Sequence, residues 1–340
     1  MNIRHALMGA VSLVFSPAAW AAPCTTATSA CMEWVTLGGG PWRSYVYRSH
    51  PLDTRDPGIT RALIVVHGQG RNADDYFRTA VASAFLAGAL SDTIVISPRF
   101  TSSDSPGCRD TLADDEVNWR CSGDSWRSGA AAVNSNGLTS YDFTDEILRK
   151  LARKEVFPNL KTIVLTGHSA GGQYVARYAM ANTVHERLGV PVIYVVSNPS
   201  SYGYLDHSRP VADEGGAAAG FGAFRDARNC TTYDRWPYGL QNRTGYAAKL
   251  TDEQLKRQIA ARPVVYLLGE LDTLPLAGFD SSCPAMAQGP SRLARGQAYA
   301  AYLNQQYGAR HKVTVVPMCG HNGRCMYTAD QALEILFPKP

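Results

Sequence analysis

The eight cysteines include no CxxC pair and are scattered from Cys24 to Cys325. Zinc modules draw their thiolates from closely spaced pairs, so this pattern excludes one. Nor is there a block of basic residues: Lys and Arg number 33 against 29 Asp and Glu, a formal net charge of +4. A charge that small and that dispersed points to no nucleic acid and no anionic membrane as partner. Internal repeats and long linkers are absent, which excludes solenoids and arrays. Beyond the N-terminus no apolar run approaches the roughly 18 residues a membrane span needs, so no anchor is expected in a mature chain.

What is present is core-forming material. Hydrophobic residues make up 45% of the 340 and charged residues 18%. That is an ordinary globular balance without a disorder signature. The length suits one large α/β enzyme domain. Residues 1–21 read as a signal peptide. Arg4 and His5 give a short basic start, and Ala6 to Pro17 form an apolar stretch too short to cross a bilayer. Ala19-Trp20-Ala21 then offers a small-x-small cleavage pattern. The expected location is exported, periplasmic or extracellular, where cysteines oxidise in pairs. Eight cysteines permit about a hundred pairings. Local spacing suggests Cys24 with Cys31, Cys108 with Cys121, Cys230 with Cys283, and Cys319 with Cys325.

From residue 22 to 340 short apolar runs alternate with helical stretches, as in one domain. Glu33 to Leu37 and Arg43 to Arg48 read as two early strands. Ala62 to Val66, Thr93 to Ser97, Thr162 to Thr166, Val190 to Val196, Val264 to Leu268 and Val313 to Val316 are continuous and β-branched. Such runs suit strands buried on both faces of a parallel sheet. Tyr141 to Glu155 carries Phe143, Ile147, Leu148 and Leu151 on one helical face. Gly172 to Asn182, Ser291 to Gln306 and Ala329 to Leu336 are also helix-like. The alternation predicts a mostly parallel sheet flanked by helices. Two stretches interrupt it, at about 100–138 and 199–258. Both read as excursions over the strand ends, of the kind that form lids or binding loops. The second holds Arg225, Arg228, Arg235 and Arg243, which could meet a substrate carboxylate or pair with Asp226 and Asp234.

The strongest motif is Gly167-His168-Ser169-Ala170-Gly171, followed by Gly172. It matches G-x-S-x-G, with an apolar strand before it and a helical pattern after it. A sharp strand-to-helix turn lifts a serine hydroxyl above the sheet, and crowding there requires glycine two residues to either side. The helix N-terminus that follows favours developing negative charge. At this point the chain resembles the α/β-hydrolase superfamily. The likeness covers most of the mature chain as a pattern and is specific at four short segments.

That resemblance implies an acid and then a histidine, in this order, after the serine. Asp272 follows the VVYLL strand in Leu-Gly-Glu-Leu-Asp and is the expected acid; Glu270 in the same loop is the alternative. His321 lies just past the last strand in Cys319-Gly320-His321-Asn322-Gly323 and is the expected base. A bridge between Cys319 and Cys325 would hold its imidazole in place. His67-Gly68-Gln69-Gly70 follows the third strand, and the resemblance makes Gln69 N–H and Ala170 N–H the expected oxyanion donors. His67 is expected to be structural, His168 to point away from the nucleophile, and His311 to lie on the far side of the sheet. Asp74, Asp75 and Tyr76 carry no expected role. The implied activity is hydrolysis of a carboxylic ester, small or polymeric, through Ser169, His321 and Asp272. No cofactor or metal is needed. Two alternatives stay open: a peptidase or amidase with the same triad, and a non-catalytic binding protein on this fold.

Overall fold

The computed structural model describes residues 22–123, 125–135, 137–212, 218–276 and 278–339. The signal-peptide expectation for 1–21 lies outside the described residues. Among the described residues ten strands are present: β1 (Met32–Thr36), β2 (Arg43–Arg48), β3 (Arg61–Val66), β4 (Thr93–Pro98), β5 (Thr162–His168), β6 (Val192–Ser197), β7 (Ser208–Ala212), β8 (Ala218–Ala223), β9 (Val264–Gly269) and β10 (Lys312–Val316). The helices are α1 (Ala73–Leu86), α2 (Ser140–Leu151), α3 (Ala170–Ala181), α4 (Asp252–Ala261), α5 (Cys283–Met286), α6 (Arg292–Tyr307), α7 (Gly323–Thr328) and α8 (Asp330–Leu336).

Eight strands form one sheet in the order β1-β2-β4-β3-β5-β6-β9-β10. The β1–β2 and β2–β4 pairs are antiparallel and every other pair is parallel. The continuous apolar runs occupy the middle, as their composition predicts. Side chains alternate across a strand, so each run feeds two cores. In β3, Ala62, Ile64 and Val66 join the core under α2, α3 and α6. Leu63 and Val65 join the other, under α1, α7 and α8. A strand with one polar face could not seal both sides.

Helix starts differ slightly from the sequence expectation, for local reasons. The second long helix begins at Ser140, because Thr139 and Asp142 form a capping box there. The helix after the elbow begins at Ala170 rather than Gly172, since the turn consumes a single residue. Helix α1 carries two acids in its first turn, Asp74 and Asp75, which suit the positive end of the helix. The stretch at 100–138 is irregular and holds the Cys108–Cys121 bridge. The stretch at 199–258 contains the β7–β8 hairpin and the first turns of α4. No helix among the described residues is long and apolar enough to cross a membrane.

One buried acid carries a testable cost. Asp145 of α2 is 1% exposed and accepts hydrogen bonds from Tyr178 OH (2.6 Å) and Tyr246 OH (2.8 Å). Burial pushes its carboxyl up to about 6, against the pull of both phenols and Arg149. The folded chain therefore keeps this proton through pH 4 to 6, where the unfolded chain has released it. Stability owed to this group falls as pH rises through that window. Between pH 4 and 7 the unfolding free energy of Asp145→Asn should gain about 2–3 kcal/mol on the native protein. Urea titrations across that range measure it; a difference independent of pH would refute the assignment.

Candidate active site

Ser169 is the single residue between β5 and α3, with φ 60° and ψ −117°. A backbone so far from the usual wells costs on the order of 1–3 kcal/mol and persists only when its surroundings enforce it. Here Ser169 N–H donates to Ser197 O (2.9 Å), and Gln173 N–H donates to Ser169 O (3.0 Å). Gly171 lies so close to β3 that a Cβ there would sit 2.3 Å from Val66 O. At Gly167 a Cβ would meet Gly171 O, also at 2.3 Å. The glycine spacing thus follows from backbone crowding rather than from chemistry at the glycines. Gly171→Ala is expected to destabilise the fold by about 3 kcal/mol, since the obstruction is main chain that cannot rotate aside. An unchanged urea midpoint would contradict this.

Three strand ends converge on Ser169. His321 Nε2 lies 2.9 Å from Ser169 Oγ, and His321 Nδ1 lies 2.8 Å from Asp272 Oδ2. The imidazole is slightly open to solvent while the carboxylate side chain is fully enclosed. Backbone bonds dock the acid and histidine loops together, from Glu270 N–H to Val316 O (3.0 Å) and Leu271 N–H to Cys319 O (2.9 Å). Glu270, the alternative acid, is exposed, and its carboxylate accepts Met318 N–H (2.9 Å). It is Asp272 that reaches the imidazole. The bridge between Cys319 and Cys325 brackets His321, and the other pairs are Cys24–Cys31, Cys108–Cys121 and Cys230–Cys283.

A cleft of about 590 Å3 opens over the serine, lined by Gly68, Gln69, Tyr76, His168, Gly278 and Asn322 among others. A Cβ on Gly68 would stand 3.7 Å from Ser169 Cβ, so this glycine lets the HGQG main chain pass against Ser169. Gln69 follows it into the cleft. Ala170 is the first residue of α3, and its N–H has no intrahelical acceptor. His67 is fully buried; its Nδ1 lies 2.9 Å from Gly68 O, and its Nε2 accepts Phe100 N–H (3.2 Å). That leaves it a structural part. His311 is buried between Tyr266 OH (3.3 Å) and Ile259 O (2.9 Å), before β10 and away from the cleft.

Several residues at the site carry no sequence signal. Arg292, at the start of α6, donates to Asp272 Oδ1 (3.3 Å) and Ser200 Oγ (2.8 Å), and is fully buried. Only the packing of α6 on β9 brings it there. Asn198, at φ 46°, accepts Gly269 N–H (2.8 Å) and donates to Gly320 O (3.3 Å), tying both loops to β6. Tyr76 and His168 meet at the edge of the cleft. The His168 ring turns toward His321, 4.6 Å from its ring, with Nδ1 3.0 Å from Tyr76 OH. Burial and the neighbouring His321 and Arg292 hold His168 well below the usual histidine value, so it stays neutral beside His321. In the 199–258 stretch, Arg225, Arg228 and Arg235 are exposed, and Arg243 pairs with Asp252. None of the four lines the Ser169 cleft. Asp234 pairs with His207 and Arg209, and Asp226 with Asn229.

The profile of the alpha/beta hydrolase family matches residues 63–335. None of the curated proteins matches the sequence. Among solved structures, LpqC, a poly(3-hydroxybutyrate) depolymerase from Bordetella parapertussis, is similar over 88% of this chain and 85% of its own, at 21% identity and a TM-score of 0.59. Poly(aspartic acid) hydrolase-1 from Sphingomonas sp. KT-1 is similar over 90% of this chain and 98% of its own, at 22% identity and a TM-score of 0.61. At such identities the likeness concerns the fold. The family match runs from β3 through α8 and takes in the elbow and both loops that meet it, and this chain belongs to the alpha/beta hydrolase family.

Proposed function

We propose that the chain is an exported serine hydrolase that cleaves carboxylic esters, with Ser169 as nucleophile, His321 as base and Asp272 as its orienting acid. The observation that carries this reading is the unbroken chain of contacts from Asp272 Oδ2 through the imidazole to Ser169 Oγ, at 2.8 and 2.9 Å. His321 takes the serine proton as Oγ attacks the acyl carbonyl, then returns it to the leaving alcohol. Asp272 keeps Nδ1 protonated and stabilises the imidazolium that forms. Gln69 N–H and Ala170 N–H receive the oxyanion; losing one such donor costs on the order of 10²–10³ in rate. Water then releases the acyl group by the same proton relay. Four disulfides support export. The names of the two similar structures keep polymeric as well as small substrates within the reading.

A fluorophosphonate probe on the folded protein tests the nucleophile, and matched p-nitrophenyl esters and anilides test the bond. The expected result is one adduct, at Ser169, and ester turnover well above anilide turnover. An adduct with anilide preference would make the chain an amidase. No adduct would make it a binding protein on a hydrolase fold.

A further inference from the structure

A second cavity, of about 260 Å3, lies beside the Ser169 cleft. Its wall includes Gln173, one turn along α3 from the nucleophile. It also includes Asp280, two residues past the Gly278 that lines the cleft. Ser201 in the same wall follows Ser200, whose hydroxyl donates to Gly278 O (3.2 Å). The cavity therefore begins about one helical turn, roughly 5 Å of rise, from the nucleophile.

Two guanidiniums share this small space. Arg177 of α3 is 2% exposed, and Arg127, from the stretch before α2, is half-buried. Their polar contacts among the described residues are to neutral groups. Arg127 Nε donates to Ser125 Oγ (3.0 Å), and Arg177 donates to Pro237 O (3.0 Å) and Ser201 Oγ (3.0 Å). Asp280 faces the same space, but its oxygens already accept Tyr238 OH (2.7 Å) and the Ser282 hydroxyl (2.6 Å). Burial pushes both arginines below their usual value, and Arg127 adds to the effect at Arg177. Among the described residues of the wall, two guanidiniums face one carboxylate, an excess of one positive charge. Burying such charge is unfavourable unless an anion is supplied. Planar guanidiniums suit a carboxylate, and Trp236 and Tyr238 in the wall suit the carbon chain that bears it.

We infer that this cavity is a subsite for a carboxylate carried by the substrate itself, a few bonds from the scissile carbonyl. The preferred substrate is then an acidic ester, such as a half-ester of a dicarboxylic acid or one unit of an acidic oligomer. The inference rests on the reading of Ser169 as nucleophile, yet its test need not. Glutarate binding to the intact protein is measured by calorimetry, with Arg127→Met and Arg177→Lys alongside and thermal melting to check each fold. Glutarate should bind, and each variant should weaken it by about tenfold or more. If Arg127→Met failed to fold, Arg127→Lys would replace it, keeping the charge and losing the fork. No binding, or binding indifferent to both arginines, overturns the subsite even if esters are hydrolysed. In turnover, mono-p-nitrophenyl glutarate is compared with p-nitrophenyl valerate, and 4-acetoxybutyrate with butyl acetate. The acidic member of at least one pair should show the higher kcat/KM, and the ratio should fall about tenfold in Arg127→Met. Equal ratios in both pairs would overturn the substrate class. Glutarate bound through the arginines without any ester turnover would uphold the subsite and overturn the Ser169 reading instead.

Discussion

Ser169→Ala is expected to lower kcat on a p-nitrophenyl ester by about 10⁶, with residual activity above that of water alone. The size follows from the chemistry. Without Oγ there is no acyl-enzyme, and His321 has only solvent to activate. Substrate positioning and the backbone donors survive, which leaves the residue of catalysis. The fold should survive as well, because Ser169 is held by its backbone N–H and C=O rather than by its hydroxyl. Single-turnover kinetics and a thermal melt on the same sample check both halves. A variant that kept substantial activity would rule Ser169 out as the nucleophile.

The second large effect is Asp272→Asn, expected to lower kcat by about 10⁴. Its logic runs through the tautomer. Asp272 Oδ1 accepts from Arg292 and Oδ2 faces His321 Nδ1. Arg292 can only donate, so an asparagine amide must turn its oxygen toward the guanidinium. Its NH₂ then faces Nδ1 and forces that nitrogen to accept. The ring proton moves to Nε2, opposite Ser169 Oγ, and the base is lost without any change of shape. Asp272 and Arg292 are also an ion pair of two fully enclosed side chains. Breaking such a pair by removing one partner costs about 3–5 kcal/mol, and asparagine should lose less because one hydrogen bond remains. Rate and stability therefore fall by separable routes. A variant with native kcat would show that Asp272 only stabilises the loop.

Arginine chemistry marks the limit of what sequence reading reaches here. Arg225, Arg228, Arg235 and Arg243 draw attention because they cluster along the chain, yet none lines the cleft. Arg127 and Arg177 line the second cavity and Arg292 reaches Asp272, from three separate segments. A lone arginine in a helix or loop has no local pattern to betray burial. Tyr76 and His168 are similar: one lies on α1, the other inside the elbow, and only the parallel pairing of β3 with β5 sets them side by side.

Local rules made the strands legible. Continuous β-branched runs specify burial on both faces, because side chains alternate across the pleat. The elbow was legible too, since a one-residue turn between β5 and α3 leaves no room for a Cβ at Gly167 or Gly171. The order of serine, acid and histidine motifs is likewise a property of the chain. What the tertiary structure decided is which side chains meet. The choice of Asp272 over Glu270 depends on how the loop after β9 docks on the loop after β10, and Asn198, just past β6, ties that junction. The approach of His168 to His321 and the meeting of Arg127 with Arg177 depend on contacts between separate elements. Those contacts join residues far apart in sequence, and a distance in space has no fixed spacing along the chain.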